Sequence, residues 1–246
     1  MKKILKTVAC IAMALIIPIS LVACGKDKDK DKNKTPSTPQ IKITEVATEN
    51  DLITAIDSDC NEIKLTDDIT INDTLVIERK VTLNLNGKTI NNTEDIWVDT
   101  ETEDKWSLIS VSANGDLTIT GNGKLKAKEN DCYALDVVDG GKLTIENGEF
   151  IGNISAVYVF EGEALIKGGK FSIQQLSSQS DERFTLNLYD AHRTNGTAKI
   201  KVSGGEFNKF NPANNLAEGE NTNFVVDGYK SVLVDGSTTN YKVIAE

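Results

Sequence analysis

Gly141-Lys-Leu-Thr-Ile-Glu-Asn-Gly-Glu-Phe150 decides the fold, because the chain writes it twice more. The copies are Gly162-Glu-Ala-Leu-Ile-Lys-Gly-Gly-Lys-Phe171 and Ala198-Lys-Ile-Lys-Val-Ser-Gly-Gly-Glu-Phe207. A looser copy with one extra residue, Gly115-Asp-Leu-Thr-Ile-Thr-Gly-Asn-Gly-Lys-Leu125, comes before them. The closing positions 125, 150, 171 and 207 stand 25, 21 and 36 residues apart. Self-similarity at such a period is the signature of a stacked repeat architecture. The first two intervals suit one coil of a β-solenoid. The third requires an insertion, which the polar run Gln174 to Arg183 supplies.

Within each copy apolar and polar residues alternate, the period of a half-buried strand. Leu143 and Ile145, Ala164 and Ile166, and Ile200 and Val202 are therefore expected to point inward. Thr144, Glu146, Lys167 and Lys201 are expected to point out, with Leu165 an exposed exception. The small pairs Asn147-Gly148, Gly168-Gly169 and Gly204-Gly205 fit sharp turns that strain a side chain. Stacked in register, Leu125, Phe150, Phe171 and Phe207 form an internal ladder with a step of about 4.8 Å. One coil cannot bury its apolar face alone, so stacking creates the core.

Working outward, Lys64 to Ile77 and Val81 to Ile90 read as the first coils. Thr48 begins a short helix as its N-cap, with Leu52, Ile53, Ala55 and Ile56 on its apolar face. Such a helix covers the open end of the solenoid, where bare strand edges invite aggregation. At the far end, Phe224 to Tyr229 and Val232 to Gly236 carry Asp-Gly turns and are expected to close it. The predicted fold is all-β, a parallel solenoid of about five to six coils with a helical cap and a strand cap. The Leu83–Ile90 stretch LNLNGKTI and the Gly-x-Leu-x-Ile-x-x-Gly-x-Phe coils resemble the pectate-lyase-like superfamily. The likeness covers roughly residues 63–207 and implies a right-handed parallel β-helix. A coil motif describes packing and does not by itself assign chemistry.

The chain starts with a signal-peptide layout: Lys2, Lys3 and Lys6, then an apolar run from about Val8 to Val22. Leu21-Val22-Ala23-Cys24 resembles the bacterial lipobox. That resemblance implies cleavage before Cys24, lipid on its thiol, export, and a membrane partner reached through that lipid. Residues 24–40 alternate lysine and aspartate and then turn Pro- and Thr-rich, which marks a solvated linker. Residues 41–246 are left as a single domain. Without the eight lysines and three aspartates of the first 40 residues, it keeps 19 basic and 34 acidic residues, a charge of about −15. Nucleic acid is a poor partner for such a surface. Neutral glycans, cationic partners and calcium are easier to accommodate.

The domain holds two cysteines, Cys60 and Cys132, read either as a pair or, in preference, as two separate buried thiols. No catalytic set is assigned. The superfamily includes calcium-dependent polysaccharide lyases that use an arginine or lysine as base, so a small lyase-like enzyme is one alternative. A structural envelope protein is another. Arg79, Arg183 and Arg193 are the only arginines, and Arg193 follows the only histidine in Asp190-Ala-His-Arg193. Asp67-Asp68 lacks the other hydrolase elements of the superfamily. The leading candidate for binding is Asn91 to Trp106, which carries both tryptophans and six carboxylates. Trp97 and Trp106 offer rings for sugar faces. Asp95, Asp99 and Glu101 offer oxygen ligands of the kind calcium takes. The competing reading makes both tryptophans core and the acids a solubilising loop. Tyr133, Tyr158 and Phe160 recur near coil edges and invite the same two readings.

Overall fold

In the computed structural model, residues 41–177, 182–215, 218–219 and 222–246 are described. The signal segment, Cys24 and the linker through residue 40 lie outside them. Part of the polar insertion, residues 178–181, does so as well.

The period-2 alternation of the repeats becomes parallel strand pairing. The described residues are mostly β, with few helices and no closed barrel among them. Successive passes of the chain lay their strands into three parallel sheets. The first sheet runs Ile43–Val46, Glu62–Leu65, Lys80–Asn84, Asp116–Thr120, Gly141–Ile145, Gly162–Ile166 and Ala198–Val202, all parallel. The second begins Ile69–Ile71, Thr89–Asn92, Lys124–Lys126, Glu149–Gly152, Lys170–Ile173 and Glu206–Phe207. The third is Leu75–Ile77, Ser107–Val111, Tyr133–Val137, Val157–Val159 and Leu186–Leu188. Five passes visit all three sheets, and a sixth reaches only the first two.

Register places like over like. Leu143 pairs with Leu117 on one side and Ala164 on the other, and Ala164 pairs with Ile200. Every residue expected inward from the three copies is buried. The closing positions form the expected ladder, Leu125 to Phe150 to Phe171 to Phe207. The phenyl rings stack with centroids 5.1 Å apart at each of the two steps. A glycine is required at 162, where φ is +132° and an added Cβ would meet the carbonyl oxygen of Gly141 at 2.3 Å.

Helix α1 (Glu49–Ile56) starts where the capping signal put it, with the Thr48 hydroxyl accepting the Asp51 N–H at 3.2 Å. Leu52, Ala55 and Ile56 of this helix join the core. The C-terminal closure differs from expectation. Phe224 to Val226 contributes one bridge, Val202 to Val225, and the strands are Tyr229–Leu233 and Tyr241–Ala245. This antiparallel hairpin extends the second sheet through Glu206–Phe207. Asp227-Gly228 forms the turn into its first strand, with Gly228 at φ +81°, so the strand begins after the turn rather than before it. Cys60 and Cys132 are both free and buried. Among the described residues no helix is long and apolar enough to cross a membrane.

Candidate functional site

The third sheet positions the site. Its inward rows are aliphatic: Leu75, Ile109, Leu135, Val157 and Leu186, then Ile77, Val111, Val137, Val159 and Leu188. The outward row between them reads Val76, Ser110, Asp136, Tyr158 and Asn187. Aromatic side chains gather over this outer face.

Ring contacts join them into one strip. Trp97 meets Tyr133 edge-on at 5.2 Å, and Tyr133 meets Tyr158 at 5.3 Å. Trp106 leans on Tyr158 at 5.9 Å and on Phe160 at 5.5 Å. Phe160 stacks on Tyr189 at 4.6 Å, and His192 packs edge-on against both. The two ends are open, with Trp97 37% and Tyr189 40% exposed. Trp106, Tyr158 and Phe160 are half-buried. Neither tryptophan belongs to the buried core cluster: Trp97 is exposed, and Trp106 is half-buried against Tyr158 and Phe160.

The segment is pinned by buried polar groups. The Asp131 carboxylate accepts the backbone N–H of Ile96 at 3.1 Å and of Trp97 at 3.0 Å. It also accepts the Asn92 side-chain amide at 2.6 Å, and the Asn92 carbonyl takes the Lys128 N–H. This turns Ile96 into the core and leaves Trp97 outside. The strands Val98–Asp99 and Asp104–Lys105 then pair as a small antiparallel ribbon. Lys105 fastens it with ion pairs to Asp73 at 2.8 Å and Glu103 at 2.7 Å.

Of the five residues expected at the site, the structure brings Asp95 and Trp97 together. They line a depression of about 360 Å³ with Asn130, Asp131, Tyr133 and Ile154. Asp95 is ion-paired there with Lys128. Asp99 lies close enough to act electrostatically on the Tyr133 hydroxyl. Trp106 joins the strip from its middle. Glu101 stands apart, exposed in the turn of the ribbon. Among the described residues no three His, Cys, Asp or Glu side chains are grouped to hold a metal ion, so the acids expected to offer calcium ligands do not converge.

Two buried carboxyls under the strip were not singled out in the sequence. Asp136 is 1% exposed, and burial pushes it up to about 7 against the pull of the neighbouring Ser110 and Ser107 hydroxyls. Its one sequence signal is a lone acid inside the apolar run Ala134 to Val138. Glu218 is likewise pushed up to about 7 by burial. It accepts the Leu188 N–H at 2.7 Å, closing the last strand of the third sheet. Burial also pushes the Tyr133 hydroxyl up to about 12 and raises that of Tyr158.

Arg79, His192 and Arg193, weighed for catalysis, have structural partners. Arg79 donates to the carbonyls of Ala55, Ile56 and Cys60 at 2.6–2.8 Å, binding the end of α1 to the first coils. His192 and Arg193 lie on the short helix α2 (Asp190–Asn195). The His192 Nδ1 is 2.6 Å from the Phe160 carbonyl, and Arg193 pairs with Asp190 and Glu218 at 3.2 and 3.5 Å. Comparison with protein families, with curated proteins and with solved structures gives no match.

Proposed function

We propose that the chain is an exported lipoprotein whose repeat domain binds a glycan along the aromatic strip of the third sheet. The three sheets wind as a right-handed parallel β-helix. Parallel pairing throughout the passes supports the winding, and the strong preference of parallel crossovers for one hand supports its sense. Lipid on Cys24 holds the chain to a membrane, and residues 24–40 act as the spacer. The order of basic start, apolar run, lipobox and charged linker supports this part.

One observation carries the binding reading. Six aromatic rings contact one another in series, from Trp97 through Tyr133, Tyr158, Trp106 and Phe160 to Tyr189, on an outer sheet face. Tyr133 and Tyr158 stand on strands of the parallel sheet and the other four rings on the segments flanking its strands. Together they present a large apolar area that suits the faces of successive sugars. An aromatic row left open at both ends also matches a polymer better than a small ligand.

A polysaccharide binding screen tests it, repeated on Trp97→Ala and Tyr189→Ala and checked for unsaturated sugar products. Binding that weakens in both variants without product supports the reading. Binding that ignores both substitutions refutes the site. Product formation replaces binding with the lyase-like alternative. For the anchor, Cys24→Ser is expected to abolish incorporation of labelled fatty acid and to release the protein from the membrane fraction.

A further inference from the structure

The aromatic strip covers a carboxyl with an unfilled place. Asp136 rises from the outward row of the third sheet, in register with Ser110 on one side and Tyr158 on the other. It is 1% exposed; the Ser110 and Ser107 hydroxyls lie against the carboxyl, yet its Oδ1 has no hydrogen-bond partner of good geometry. A buried carboxyl oxygen without a donor is costly, and folded proteins keep few of them. It neighbours Tyr158 of the strip across the strand register, and its electrostatic influence reaches the Tyr133 and Tyr158 hydroxyls.

The surroundings add negative charge, and the two described lysines nearest it are paired. Asp95, Asp99 and Asp131 lie at the Trp97–Tyr133 end. Asp131 is saturated by the amides of Asn92, Ile96 and Trp97. Lys128 is taken by Asp95, and Lys105 by Asp73 and Glu103. Aromatic faces themselves attract cations, more strongly when water is excluded. A neutral sugar stacks on the rings but leaves the Asp136 oxygen and the excess negative charge unanswered.

We propose that the strip is built for a glycan bearing free amino groups, with an ammonium group seated among Tyr133, Tyr158 and Trp106 and Asp136 as its buried acceptor. This rests on the glycan-binding reading above and names the ligand class within it. The Tyr158 and Trp106 rings are half-buried, and the proposal requires one of them to be displaced for the ammonium to reach the carboxyl. The ammonium then donates to Oδ1 and holds the carboxyl ionised, so that below about pH 7 its binding releases the proton that burial keeps there, while the sugar rings lie along the aromatic row.

The test is calorimetric titration of the protein with a glucosamine hexamer and an N-acetylglucosamine hexamer, equal in length and differing in the amine. At about 0.15 M salt, diffuse attraction to the acidic surface is largely screened. The amine-bearing hexamer is expected to bind about tenfold tighter or more, the scale of one charge-assisted contact. Asp136→Asn is isosteric and is expected to erase that preference while leaving the N-acetylated hexamer unchanged. Equal affinity for the two hexamers, or a preference that survives Asp136→Asn, overturns the inference and leaves the glycan-binding reading standing. Hexalysine binding tighter than the glucosamine hexamer overturns it in favour of a cationic peptide. If no glycan of the panel binds, the glycan-binding reading fails and this inference falls with it.

Discussion

Trp97 meets Tyr133 edge-on, with ring centroids 5.2 Å apart and planes at 81°. The two rings come from different passes of the chain: Trp97 from the excursion before the Ser107–Val111 strand, Tyr133 from the next strand of the same sheet. One ring is exposed and the other nearly buried, so the pair joins the surface to the underlying sheet. Trp97→Ala is therefore expected to weaken glycan binding by about 1–2 kcal/mol, as for an exposed aromatic anchor. The melting temperature should hardly move. A large loss of stability in thermal unfolding would instead make Trp97 a packing residue.

Phe171 stacks between Phe150 and Phe207 inside the repeat, with both neighbours at 5.1 Å. Removing the middle ring leaves a cavity that neither neighbour can fill without giving up its own stack. Phe171→Ala is expected to cost about 3–5 kcal/mol in urea unfolding. A loss below about 1 kcal/mol would mean that the ladder is not a stabilising element.

Arg79 fastens α1 to the body of the protein through the Ala55 and Ile56 carbonyls at the end of the helix and the Cys60 carbonyl just beyond it. Arg79→Ala removes the guanidinium donor from the three carbonyls, of which Ala55 keeps the Ser58 N–H and hydroxyl, and frees the Cys60 sulfur of its 3.4 Å contact. The expected result is faster amide exchange in Glu49–Ile56, with exchange in the Gly141–Ile145 strand unchanged. Uniform acceleration across the domain would show that the cap and the coils unfold as one unit.

Asp136 gives stability a pH dependence whose sign follows from its burial. The carboxyl titrates near 3.8 in an open chain and is pushed up to about 7 in the fold. Between those values the folded protein holds the proton and the unfolded chain has lost it. Stability from this group is full at low pH, falls as pH rises through that window, and is lost above about pH 7. Asp136→Asn keeps the shape and removes the titration. Its stability relative to the unaltered protein should rise from pH 4 to pH 7, as followed by urea midpoints at each pH. A difference flat across that range would mean that Asp136 is ionised in the fold.

Much of this architecture could be read before any coordinates. The strands of the repeats, the inward rows such as Leu143 and Ile145, the Phe ladder and the Thr48-capped helix each depend on spacing over a few residues. The site was legible only in fragments. Trp97, Trp106, Tyr133, Tyr158 and Phe160 drew attention singly, while Glu101 was expected with them and stands apart. Asp136 looked like one more residue in an apolar run.

What the sequence by itself determined was the period, and with it the strands, their inward faces and the positions that stack, because alternation and turn residues act locally. Only the tertiary structure decided that rings scattered from Trp97 to Tyr189 become one strip. That outcome depends on which sheet each strand joins, on the Asp131 contacts that turn Trp97 outward, and on the burial of Asp136 beneath them. Those contacts join residues from separate passes of the chain, and no local pattern encodes such a meeting.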